Sequence, residues 1–113
     1  MLKNKKILIV EDDPKSLYAF HAVLQAHDFE AVACESAEHA LQHINTRFDV
    51  AIVDVRLPKM QGTDFALHLR LSRPSTRIIL VTAYDGIHAL KETIPGCDVL
   101  LKPIDMDILL QLL

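Results

Sequence analysis

Five short, mostly apolar runs divide the chain: Lys6–Val10, Glu30–Cys34, Asp49–Val53, Arg77–Val81 and Cys97–Leu101. A helix-patterned stretch follows each of them. This βαβαβαβαβα order constrains the fold more than any other feature. Strands separated by helices lie parallel, and their crossovers are right-handed. The class expected is α/β, a five-stranded parallel sheet with helices on both faces. The third run is almost wholly apolar, as a strand covered on both sides must be. With 113 residues, half of them hydrophobic, the chain forms one domain with a core that needs no disulfides.

Local signals place the helices. Asp13 is an N-cap and Pro14 takes the first helical position, where its missing N–H costs nothing. Leu17, Phe20, Val23 and Leu24 form the apolar stripe of that helix. Ser36 caps a second helix with Ala40, Leu41 and Ile44 on one side. Pro58 and Gly62 bracket a loop. Phe65 and Leu69 point inward from a third helix, which Arg73-Pro74-Ser75 ends. The fourth helix, near Gly86–Thr93, is short, because Ile94 precedes Pro95 and is pushed from helical angles. Asp105 caps a last helix, Met106–Leu113. Leu109, Leu110, Leu112 and Leu113 cannot all face inward on it, so the surplus suggests a partner or dimer surface. The apolar end also suggests a fragment of a longer protein.

A net charge of −3 and a pI near 6.0 give no sign of a nucleic-acid surface. No apolar run approaches the roughly 18–20 residues of a membrane helix. The basic start, Lys3, Lys5 and Lys6, runs straight into a strand, so a cytoplasmic location is expected. Cys34 and Cys97 are too few for a disulfide framework, have no metal-ligand spacing, and read as buried, unpaired thiols. His39 and His43 stand at i, i+4, a spacing that can bind metal. No third ligand is evident nearby in sequence, so both are expected to face solvent.

Ligands of parallel α/β sheets bind outside the carboxyl ends of the strands. Glu11-Asp12-Asp13, Asp54, Thr82 and Lys102-Pro103 stand there, after four of the five runs. If the first and third strands are neighbours, Asp12 and Asp54 lie close together. Two such carboxylates repel by roughly 1–4 kcal/mol unless a cation or proton intervenes. Mg²⁺ suits them, since it takes oxygen ligands and shares its shell with phosphate. Lys102 adds a positive charge, Thr82 a hydroxyl donor, and Asp54 can itself be a nucleophile. Asp13 serves as a cap instead.

Val10-Glu11-Asp12-Asp13, Asp54-Val55-Arg56-Leu57-Pro58 with Gly62, Val81-Thr82-Ala83 and Lys102-Pro103 resemble the receiver domain of two-component response regulators. The likeness covers residues 1–113 in order and spacing. It implies a strand order of 2-1-3-4-5, which puts Cys34 and Cys97 near opposite edges, roughly 19 Å apart. It implies that Asp54 is the phosphoacceptor, and that Asp12, Glu11 through water, Asp54 and the Arg56 carbonyl hold Mg²⁺. Thr82 would grip a phosphoryl oxygen, Lys102 would pair with the acceptor, and Pro103 would hold its loop through a cis bond. A sensor histidine kinase or phosphotransfer protein would be the donor. The domain would catalyse its own phosphorylation and dephosphorylation, and could form a homodimer through the fourth helix, fifth strand and fifth helix.

Two other readings compete. An aspartyl-phosphate hydrolase generally needs an acid just beyond its nucleophile, but Arg56 and Leu57 follow Asp54. A passive interaction module would not need the intact site. One departure from the family stands out. Many receivers carry Tyr or Phe three residues before the lysine, as a ring that swings on activation; here the residue is Val99, small and stiff at χ1. Switching is therefore expected to rely on movement of the Thr82–Asp85 loop, Thr82, Ala83 and Tyr84 among it, with Tyr84 partly screening the phosphate from water.

Overall fold

A computed structural model describes residues 5–83 and 86–113, with only the backbone of His88. The strands are β1 Lys6–Val10, β2 Glu30–Cys34, β3 Val50–Asp54, β4 Arg77–Thr82 and β5 Asp98–Leu101. The helices are α1 Pro14–Ala26, α2 Ala37–Leu41, α3 Gly62–Ser72, α4 Ile87–Thr93 and α5 Met106–Leu112. All strand pairs are parallel, in the order β2-β1-β3-β4-β5. The fold matches the expected class and order. Four strand boundaries move: β3 starts and ends one residue later, β4 gains Thr82, and β5 begins after Cys97.

Strand alternation divides the core into two layers. Leu8, Val10, Ala51, Val53, Ile78 and Leu80 pack with Ala37, Ala40, Phe65, Ala66, Leu69 and Ile94 from the α2–α4 side. Ile7, Ile9, Val50, Ile52, Ile79 and Val81 pack with Phe20, Leu24 and Leu109 from α1 and α5. Every residue of β3 is buried, whereas the edge strands β2 and β5 are only partly covered. That gradient explains why β3 is the most continuously apolar run.

The caps behave as their chemistry requires. Asp13 accepts hydrogen bonds from Ser16 N at 3.0 Å and Ser16 Oγ at 2.8 Å. These bonds hold its carboxyl below the ordinary value. Ser36 Oγ accepts from His39 N at 3.0 Å, and Asp105 Oδ1 from Asp107 N at 2.9 Å. α2 is only five residues long. Ile44 therefore lies beyond it, in a turn, although it still packs on the core. Gly96 has φ +78°, a left-handed conformation that suits the reversal from α4 into β5. At the last helix Leu109 is fully buried, and Leu110, Leu112 and Leu113 all pack partly on the core. The exposed apolar side chain there is Ile108, not one of the leucines. Both cysteines are buried and unpaired. Among the described residues, no helix is long and apolar enough to cross a membrane.

Thr76, 1 % exposed, ties the start of β4 to the chain before β3 by donating from Oγ1 to Phe48 O at 2.9 Å. Thr76→Val keeps the shape but removes the buried donor. It should cost about 1–3 kcal/mol in urea denaturation; an unchanged midpoint would show that the bond contributes nothing.

Candidate functional site

The strand register assembles the site. Val10 pairs with Val53, and Asp54 with Val81, so Glu11 and Asp54 stand side by side at the carboxyl edge of the sheet. The alternation continued one step past β1 and β5 gives Glu11 the parity of Ile7 and Ile9, and Lys102 that of Leu100. Asp54 shares the parity of Val50 and Ile52. All three thus come from the α1/α5 face. Thr82 has the parity of Ile78 and Leu80, on the other face.

Lys102 Nζ donates to Asp54 Oδ2 at 3.0 Å and lies 3.3 Å from Glu11 Oε1. Asp54 Oδ1 accepts from Arg56 N at 3.2 Å. Both Asp54 oxygens are therefore oriented by groups on separate segments. Glu11 Oε2 accepts from Asp13 N at 3.1 Å, whereas the buried Oε1 has the lysine's charge nearby without a hydrogen bond. Asp12 is exposed, beside these two buried carboxylates. One carboxylate oxygen from each of Glu11, Asp12 and Asp54 lies within 4.8 Å of the other two. An all-oxygen set with one under-satisfied buried oxygen fits a hard divalent cation such as Mg²⁺.

An open cleft of about 280 Å³ lies over this cluster, lined by Glu11, Asp12, Asp13, Asp54, Arg56, Ala83 and Lys102. At roughly 30 Å³ per water it can take a hydrated ion and a phosphoryl group together. Burial pushes the Glu11 pKa from 4.5 up to about 7, and the neighbouring Asp54 adds to the rise. Burial also draws the Lys102 pKa down, but its hydrogen bond and attraction to Asp54 outweigh this and leave it raised. Lys102 is thus a fixed cation at neutral pH.

Backbone bonds lock the same residues. Val55 N donates to Val81 O at 2.9 Å, and Lys102 N to Thr82 O at 2.8 Å. Thr82 is buried and does not line the cleft. The Lys102–Pro103 bond is cis. Val99 packs on the core layer of α2–α4. Tyr84 and Asp85 lie outside the described residues. His39 and His43 are partly buried, and Cys34 lies within reach of both. The expectation of solvent-facing histidines with no third ligand is therefore corrected.

Gly62 is the position whose role was least evident from sequence. Its N–H donates to Val55 O at 3.0 Å. A Cβ there would sit 1.8 Å from the Asp54 carbonyl oxygen and 2.8 Å from its carbon. Only hydrogen fits between α3 and the backbone of Asp54.

A family model described as the response regulator receiver domain matches residues 7–113. A cyclic di-GMP phosphodiesterase of Thermotoga maritima is 32 % identical over 105 residues, which cover 91 % of this chain and 28 % of that protein. The chain spans about a quarter of the length of curated relatives that it matches. A CheY-like receiver domain protein from Methanospirillum hungatei is 29 % identical, with a TM-score of 0.88, covering 96 % of this chain and 90 % of that one. The response regulator TrrA of Thermotoga maritima, in complex with Mg²⁺-BeF, is 26 % identical with a TM-score of 0.83, covering 95 % and 94 %.

Two predictions follow from the geometry. Gly62→Ala forces either the Asp54 carbonyl or the start of α3 to move, and should cost roughly 1–3 kcal/mol in urea denaturation. A neutral substitution would mean that the contact is slack. The second concerns pH. Glu11 holds its proton more tightly when folded, so the metal-free protein should lose stability as pH rises from about 4.5 to about 7. That loss is at most about 3 kcal/mol. Glu11→Gln should flatten this limb and be the more stable protein at pH 7.5 in chelator; parallel profiles would remove Glu11 as the cause.

Proposed function

The chain belongs to the response regulator receiver domain family, and from that premise we propose a Mg²⁺-dependent phosphoacceptor switch centred on Asp54. The observation that carries this reading is the setting of the Asp54 carboxylate. It is 6 % exposed, held through one oxygen by Lys102 and through the other by Arg56 N, and open to a cleft with two further carboxylates. A group meant only to support the sheet would not need both.

In this reading a phosphohistidine on a sensor histidine kinase or phosphotransfer protein is the donor. Its N–P bond breaks as an Asp54 Oδ–P bond forms. Asp12, Asp54, Glu11 and the Arg56 carbonyl would hold Mg²⁺, which when bound neutralises charge on the transferring phosphoryl group. Lys102 keeps a positive charge against Asp54 before transfer and against the phosphoryl oxygens after it. Thr82 supplies a hydroxyl to one of those oxygens. Because Lys102 N hangs on Thr82 O, a shift of Thr82 carries Lys102 with it, and the β4/β5 surface changes. Pro103 and Ala83 border that surface. Exposed Leu101 on β5 and Ile108 on α5 support a homodimer contact across α4, β5 and α5. The short span relative to the curated relatives supports reading residues 1–113 as one domain of a longer response regulator or hybrid kinase.

The test is incubation with a small-molecule phosphodonor and Mg²⁺, read by intact mass. The wild-type chain should gain one phosphoryl group that decays slowly, and Asp54→Asn should gain none while remaining folded. Turnover of phosphate esters would favour a hydrolase, absence of any adduct a passive module, and full labelling of Asp54→Asn another acceptor.

A further inference from the structure

Cys34, His39 and His43 meet where β2 passes into α2. Their candidate ligand atoms, the Cys34 sulfur and one ring nitrogen from each histidine, lie within 4.8 Å of one another. Cys34 stands on a strand and His39 on a helix, and His43 lies in the turn that follows α2, its N–H bonded to Ala40 O at 2.9 Å. Cys34 ends β2, pairs with Val10, and accepts from Glu11 N through its carbonyl at 3.0 Å. Ser36 fixes the backbone of His39 as the helix cap. His43 follows four residues later, so both rings project from one side of the turn, with centroids 5.7 Å apart. His43 also meets the Phe48 ring edge-on at 6.4 Å.

This donor set differs in kind from the acidic cluster. One thiol and two imidazoles suit a borderline-soft ion that prefers tetrahedral geometry, and they suit Mg²⁺ poorly. Zinc bonds of about 2.3 Å to sulfur and 2.0–2.1 Å to nitrogen place neighbouring ligand atoms roughly 3.4–3.6 Å apart in a tetrahedral shell. Small side-chain rotations would close the remaining distance. Cys34 is fully buried, but both histidines are partly exposed, which leaves a way in.

We propose that Cys34, His39 and His43 form a Zn²⁺ site with its fourth position left to water. Binding breaks the S–H bond of Cys34 and releases that proton to solvent, with no change of oxidation state. Burial keeps the free thiol at a pKa of about 11, so the ion must displace a firmly held proton, and the site is a moderate one. Occupancy joins β2 to the short α2. Through the 3.0 Å bond from Met60 N to Glu38 Oε2, α2 already holds the loop between β3 and α3.

The test is a Co²⁺ titration of the full chain in excess Mg²⁺. One equivalent should produce a near-ultraviolet thiolate-to-cobalt band and the strong visible absorption of a tetrahedral ion, and Zn²⁺ should abolish both. Cys34→Ser should remove the near-ultraviolet band. His39→Gln and His43→Gln, at partly exposed positions that leave the fold intact, should each weaken Co²⁺ binding at least about tenfold. Cys97→Ser and Asp12→Ala should leave the spectrum unchanged. The site is overturned if no band forms, if the band follows Cys97, or if neither histidine variant alters the titration.

Discussion

Two carboxylates compete for one ammonium at the edge of this sheet, and the site is organised around that contest. Asp54 wins the hydrogen bond from Lys102, and Glu11 receives proximity without a bond. Burial, with Asp54 beside it, leaves Glu11 holding its proton up to about pH 7, and the bond to Asp54 keeps Lys102 firmly charged. A further divalent cation would relieve what one lysine cannot. The cluster is therefore built short of positive charge, and that shortfall suits it to a divalent cation. The buried hydrophobic strands beneath it fix the charges in place so that they cannot drift apart to lower their repulsion.

Much of this was legible in the residues. The alternation of apolar runs and capped helices predicted the five strands and five helices, because both periodicities follow directly from backbone geometry. Asp13-Pro14, Ser36 and Asp105 predicted three helix starts, since a cap acts within its own turn. The strand order came from resemblance, as nothing local dictates which parallel strands pair. Asp12, Asp54, Thr82 and Lys102 were picked out by where the runs end, and the structure brings Asp12, Asp54 and Lys102 to one cleft. Thr82 is placed deeper, beside the backbone of Lys102.

What the sequence did not disclose depends on contacts between different elements of the fold. Gly62 bounds a loop in sequence, yet its need to be glycine comes from the carbonyl of Asp54, eight residues earlier. Cys34 joins His39 and His43 only because β2 leads directly into a helix of five residues. A helix continued through Ile44, as its apolar spacing suggested, carried no indication of a strand-borne thiol beside the histidines. The leucines of α5 looked too many to bury on one helix. The core layer beneath α1 and α5 accommodates them at least partly, and Ile108 is left outside.

The bonds at the carboxyl edge also form a closed circuit. Asp54 is paired to Val81 in the sheet; Val81 is bonded in sequence to Thr82; Thr82 O holds Lys102 N; and Lys102 Nζ returns to Asp54. A closed linkage has fewer independent motions than the same joints in an open chain. Opening its weakest joint, the exchangeable ion pair, releases the whole circuit at once, while the backbone joints hold the pieces in order. Chemistry at the Asp54 side chain would thus act on a joint that β4 and β5 share, without a relay of packed side chains between them.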